Sequence, residues 1–301
     1  MGAVVFVHGV GKQYLSEDSL ARDVVPELLG GVRLAGGPVP AVEDVGVAFY
    51  GDLFRPSGAR AGHEPPYDAG DVETEEEFRL LIAWWAEAAR TDPGVPDPAE
   101  AGTRGAGGWM VSQALRLNAV RAALDALTGA VFLRGVLDRA LIGSLKQMAA
   151  YFSDEDVRRE ARARVAARIT PETRVVVAHS LGSVVAYEAL CDEAHHTDWD
   201  VRRLVTLGSP LGMRALVLDR LEPAPAEGRA VWPKPLRGWT NIADAADIVS
   251  VVRELRPAYG AGVVDEAVHN GSHMHDATRY LTAVETGRAI AAGLAREPLA
   301  D

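Results

Sequence analysis

The sequence predicts an α/β fold, a mostly parallel central sheet with helices on both faces and a helical insertion. Three observations carry this reading. Short apolar runs rich in β-branched residues recur along the chain, helix-length segments separate most of them, and one interval is too long for a single crossover. A strand buried on both faces reads as a continuous apolar run, and strands joined by helices form parallel sheets covered on both sides.

The predicted strands are Val4 to His8, Val45 to Tyr50, Val175 to His179, Leu204 to Leu207, Trp239 to Ala243 and Val263 to Val268. Right-handed crossovers align the C-terminal ends of such strands along one edge, where ligands bind. Residues just after each strand are therefore the place to look for chemistry.

The long interval opens with a Gly/Pro-rich loop, Gly51 to Asp71. A helix follows from Glu75 to Arg90, started by a capping box of Thr74 with Glu77 and by three glutamates that suit the helix dipole. Thr91 to Gly108, rich in Pro and Gly, reads as a linker or mobile loop. Helical patterns then run from Trp109 to Leu127, from Val131 to Phe152, and from Asp154 to Arg168 with Ser153 as N-cap. Residues 52–150 are read as a helical cap over the sheet edge, inserted into a core formed by 1–51 and 151–301. Its apolar residues Phe78, Leu81, Ile82, Trp84, Trp85, Trp109, Met110, Phe132 and Leu133 are expected chiefly to pack the insertion onto the core. Where they overhang the site they would line it with hydrocarbon and indole.

Bulk properties narrow the function. Lys plus Arg is 31 and Asp plus Glu is 42 in 301 residues, a formal net charge of -11. Polyanion binding needs a basic surface, so nucleic acid is not an expected partner. The one cysteine, Cys191, excludes an intrachain disulfide and reads as a packed thiol. The apolar strand pattern begins at Ala3 with no basic n-region before it, and the stretch Val131 to Ile142 contains Arg134, Asp138 and Arg139. No transmembrane segment and a cytoplasmic location are expected.

Arg174 to Gly182, R-V-V-V-A-H-S-L-G, is an apolar strand that breaks into a turn of small residues. Such a turn between strand and helix holds its apex residue, Ser180, in a strained conformation above the sheet edge. Ala178 and Gly182 are small enough to let the two backbones meet. A plain helix N-cap is the competing reading of Ser180, decided by whether partners for a nucleophile follow in order.

They do. The first strand leads into V-H-G-V-G-K, where a glycine-rich loop can aim backbone N–H groups at a developing oxyanion. A phosphate loop fails on spacing, so Val10 N–H and Leu181 N–H are the expected donors. Trp239 to Ala243 is followed by Asp244 and Asp247. Asp247 is favoured to orient a histidine, because Asp244 sits close to the strand and can instead cap a turn. After the last strand, H-N-G-S-H-M-H-D contains His269, His273, His275 and Asp276. Their spacing fits a loop better than a metal site, so no metal and no cofactor are expected, and His275, just before a final helical segment from Ala277 to Leu294, is chosen as the base.

The order Ser180, Asp247, His275, with A-H-S-L-G at 178–182 and V-H-G-V-G at 7–11, resembles the α/β-hydrolase superfamily. T-L-G-S-P-L-G at 206–212, W-x-N-x-x-x-x-x-D-x-V at 239–249 and H-x-x-x-x-Y-L at 275–281 look like its esterase and lipase branch. The chain starts at what would be that fold's third strand, so the resemblance implies a small sheet. It also implies a serine hydrolase cleaving an ester or thioester with an apolar acyl group. Gly9, His179 and Ser209 are the residues expected to contact substrate. An acyltransferase or cyclase using the same residues is the alternative among enzymes, and a non-catalytic binding protein of the same fold is the alternative outside them.

Overall fold

The computed structural model describes residues 2–55, 67–100, 113–129, 134–193 and 198–295. In chain order the elements are β1 (Val4–Val7), α1 (Glu17–Leu34), β2 (Val45–Ala48), α2 (Glu75–Thr91), α3 (Gln113–Thr128), α4 (Arg134–Ser153) and α5 (Glu155–Arg168). They continue with β3 (Val175–His179), α6 (Leu181–Cys191), β4 (Arg203–Leu207), β5 (Gly238–Asp244), α7 (Arg256–Tyr259), β6 (Val263–Val268), α8 (Ala277–Thr282) and α9 (Val284–Leu294). The six strands pair in the order β2-β1-β3-β4-β5-β6, every pair parallel. Each predicted strand is present, to within a residue or two at its ends.

Strand periodicity divides the core in two. Val4 and Phe6, Val175 and Val177, and Val205 and Leu207 face α1, α8 and α9, where Leu20, Val24, Leu28 and Ile290 meet them. Val5 and Val7, Val176 and Ala178, and Leu204 and Trp239 face the opposite layer of α2 to α6. The side chains alternate because successive Cβ atoms point to opposite faces. In-register pairing of Val7 with Ala178, of His179 with Leu207 and of Leu207 with Ile242 keeps the C-terminal ends level. The loops after β1, β3, β5 and β6 therefore leave one edge of the sheet together.

The insertion shares its core with the sheet. Phe78, Leu81, Trp84, Val120, Leu124, Leu141 and Leu145 belong to the same apolar cluster as Val5 and Val176. Thr74 and Glu77 form the predicted capping box of α2. Just past the insertion, buried Glu188 of α6 holds the end of α4 and the start of α5, accepting from Tyr151 Oη at 2.6 Å and Arg158 Nε at 3.0 Å. Trp109, Met110, Phe132 and Leu133 lie outside the described residues.

Two helix boundaries differ from the sequence reading. Asp154, not Ser153, caps α5 through the Asp156 and Val157 N–H groups, while the Ser153 hydroxyl donates back to Ala149 within α4. The last helix, predicted as one piece from Ala277 to Leu294, is two. It breaks at Ala283, whose backbone is extended at φ -62 and ψ 138. At that break α1 comes so close that a Cβ on Gly31 would lie 2.1 Å from the Leu281 carbonyl oxygen, and one on Gly287 2.0 Å from that of Gly31. No helix among the described residues is long and apolar enough to cross a membrane.

Candidate active site

Ser180 stands at the apex of the turn from β3 into α6 with φ 54 and ψ -131, a region closed to ordinary side chains. Holding a residue there costs about 1–3 kcal/mol, so the surroundings must over-determine it. They do: its N–H donates to Leu207 O at 3.0 Å, and its carbonyl accepts the Ser183 hydroxyl at 2.6 Å. Gly182 lets the helix start directly beneath the first strand, since a Cβ there would lie 2.3 Å from His8 O.

Three side chains far apart in sequence meet at this apex. His275 Nε2 lies 3.0 Å from Ser180 Oγ, and its Nδ1 lies 2.8 Å from Asp247 Oδ2. A buried carboxylate accepts, so Nδ1 carries the proton and Nε2 is free to accept from the serine. Asp247 Oδ2 also takes the Tyr280 hydroxyl at 2.7 Å, and Oδ1 takes the Val249 N–H at 2.8 Å. Burial alone would raise this carboxyl, but the His275 interaction and those two hydrogen bonds outweigh it and hold its pKa below the ordinary aspartate value.

Asp244 does other work. It ends β5, its Oδ1 accepting the Ala246 N–H at 2.7 Å and its Oδ2 the Asn270 N–H. It ties the turn after β5 to the loop after β6.

The glycine-rich loop touches the serine directly. A Cβ on Gly9 would lie 2.6 Å from Ser180 Cβ, so only glycine fits. His8 beneath it is fully buried, and burial pushes its pKa down to about 4. Its Nε2 accepts the Tyr50 N–H at 3.1 Å, which leaves Nδ1 as donor to Gly9 O at 2.7 Å. A trans peptide points its C=O and N–H in opposite directions. Fixing Gly9 O thereby also fixes the Val10 N–H. Among the described residues nothing accepts the Val10 or Leu181 N–H.

Two residues predicted to touch substrate make hydrogen bonds within the protein. Ser209, 2% exposed, shares a 2.6 Å hydrogen bond with Ser183 Oγ and accepts the Leu211 N–H at 3.2 Å, bracing the turn from behind. His179 is buried, which drives its pKa well below the usual histidine value, and its Nε2–H donates to the His275 carbonyl at 3.1 Å. Its ring lies 4.7 Å from that of His275 between centroids. Through these bonds both support the apex, and His179 also lines a cavity beside it.

Sequence reasoning missed the roles of Gly208 and Tyr280. Gly208, at φ 53, leaves room for the histidine and aspartate: a Cβ would lie 2.7 Å from Asp247 Oδ2 and 3.1 Å from His275 Nδ1. The T-L-G-S-P-L-G run contained that signal. Tyr280 Oη accepts the Asp244 N–H at 2.9 Å while donating to Asp247, so it links the two aspartates.

Two cavities flank His275. One, of about 190 Å³, is mostly apolar and lies between Trp84 of α2, Ala140 and Leu141 of α4, and Ile248, Val249 and Met274. The other, about 640 Å³, has a mixed polar and apolar lining that includes Val10, Lys12, Arg22, Glu27, His179 and His275. Trp84 is fixed as a wall by its indole N–H, which donates to Ile248 O at 2.7 Å. Cys191 is a half-buried thiol raised to about 12, chiefly by burial, and does not belong to this group. No set of three or more metal-ligating side chains converges among the described residues. Compared with known proteins, the chain matches no protein-family model and no curated sequence.

Proposed function

We propose that this chain is a serine hydrolase of the α/β-hydrolase type, cleaving a carboxylic ester or thioester through an acyl-enzyme. The observation that carries the reading is the continuous hydrogen-bonded line from Ser180 Oγ through His275 to Asp247. His275 takes the hydroxyl proton as Ser180 Oγ bonds to the carbonyl carbon, and Asp247 stabilises the imidazolium that results. The carbonyl oxygen becomes an anion facing the Val10 and Leu181 N–H groups. Collapse of that intermediate breaks the bond to the alcohol or thiol, which leaves with the proton from His275. Water, deprotonated by the same imidazole, then releases the acid and restores Ser180.

The apolar cavity beside His275 supports a substrate with a hydrocarbon group there. Turnover of p-nitrophenyl butyrate tests the reading. Ser180→Ala is expected to abolish it while leaving the circular dichroism spectrum unchanged. Turnover at the wild-type rate in that variant would refute it.

A further inference from the structure

Gln147 projects from α4 of the insertion into the loop after β1. Its Oε1 accepts the Gly11 N–H at 3.2 Å, and its Nε2 donates to Gln13 Oε1 at 3.1 Å. Gln147 is 7% exposed and Gln13 is 3% exposed. Burying an amide is costly unless both its ends are bonded, and here both bonds go to the same loop. Neighbouring Leu145 and Met148 already supply the apolar packing of α4. The polar side chain between them serves the loop.

The loop needs such a hold in its middle. Its start is fixed by His8 on Gly9 O. Its end is fixed by Leu15 N–H on Lys12 O at 3.0 Å and by the close approach of Gly51, where a Cβ would lie 2.7 Å from that oxygen. Between them Gly11 sits at φ 77, where a residue without Cβ has several conformations open to it. The peptide joining Val10 to Gly11 is held through its N–H by Gln147. With the peptides on both sides of Val10 held, the Val10 N–H has one direction left.

We infer that Gln147 is a positioning residue for the oxyanion-binding loop, making the helical insertion part of the reacting apparatus. The inference rests on the serine hydrolase reading above. An oxyanion donor acts on charge that exists only in the transition state, so loosening it lowers kcat and leaves KM nearly alone. Removing such a donor outright costs roughly a hundred- to a thousandfold, and loosening it costs less.

The test compares Gln147→Met, which keeps length and helix preference but not the amide, with Gln147→Glu. The latter still accepts the Gly11 N–H, and Gln13 can turn its NH2 towards the carboxylate. Kinetics on p-nitrophenyl butyrate, the rate of phosphonylation of Ser180 by a small fluorophosphonate, and the melting temperature are measured for each. In Gln147→Met kcat is expected to fall roughly ten- to a hundredfold with KM within about threefold, the phosphonylation rate falling in step. Gln147→Glu is expected to retain kcat within about threefold. Wild-type kcat in Gln147→Met, or equal losses in both variants, would overturn the inference. Gln147→Ala is read in the same way should Gln147→Met fail to fold. A wild-type chain that neither turns over ester nor reacts with the fluorophosphonate would instead strike the hydrolase reading itself.

Discussion

Asp247 keeps its charge in a buried place because three donors converge on it, from His275, Tyr280 and the Val249 backbone. Asp247→Asn should therefore lower kcat by about 10³–10⁴, since an amide there favours the wrong imidazole tautomer. Asp244→Asn should leave kcat within a few-fold and show its cost in melting temperature, because its bonds hold turns. Comparing the two turnover numbers checks the choice between them. The depressed pKa of Asp247 has a definite sign in stability. Its contribution is complete above the ordinary aspartate value of about 3.9 and is lost as pH falls from there through the lower folded value. The stability advantage of wild type over Asp247→Asn should accordingly shrink as denaturant titrations move from pH 5 to pH 3. Ser180, His275 and Asp247 were legible as residues because each follows a strand pattern. Tyr280 was visible only as an aromatic at the end of a motif, since its link to Asp244 and Asp247 spans more than thirty residues and exists only in the folded chain.

At the level of elements, the site depends on turns that admit no side chain. Gly208→Ala should lower both kcat and melting temperature, because it adds a Cβ at φ 53 directly against Asp247 Oδ2. Ser209→Ala, by contrast, should cost about 1 kcal/mol of stability and leave kcat nearly unchanged, since its hydroxyl braces the turn from behind. The loop after β1 carries a second pH response. His8, with a folded pKa of about 4, takes up its proton more readily when unfolded, so the native state loses stability as pH falls from about 6.5 towards 4. Each pH unit in that window costs about 1.4 kcal/mol for this group. A urea midpoint that stays constant between pH 6.5 and pH 4.5 would contradict it. Element boundaries were less legible than elements. Ser153 and Asp154 are adjacent and both good caps, and which one closes α5 depends on where α4 spends its last turn. The break at Ala283 comes from Gly31 and Gly287 letting α1 in, a contact no local pattern announces.

For the molecule as a whole, the strand periods of Val4–Val7 and Val175–His179 made the layered α/β architecture legible. The insertion was legible as helices, and as a cap over the sheet edge, but not in its individual contacts. Trp84, one of the cap's apolar residues, walls an apolar cavity beside His275, whereas Gln147, which no motif marks, holds the loop after β1. A cavity of about 190 Å³ has room for roughly six groups the size of a water molecule or methylene. Across a series of p-nitrophenyl esters, kcat/KM should rise with acyl length to about six carbons and then level or fall. A steady rise to twelve carbons would show that the hydrocarbon lies elsewhere.

Whether Ser180 is a nucleophile driven by His275 is read out by intact-protein mass spectrometry after exposure to a fluorophosphonate. A single adduct on Ser180 is expected in the wild-type chain, none in Ser180→Ala, and adduct formation slowed by orders of magnitude in His275→Ala. An unlabelled wild-type chain, or labelling of Ser180 at the same rate without His275, would contradict it.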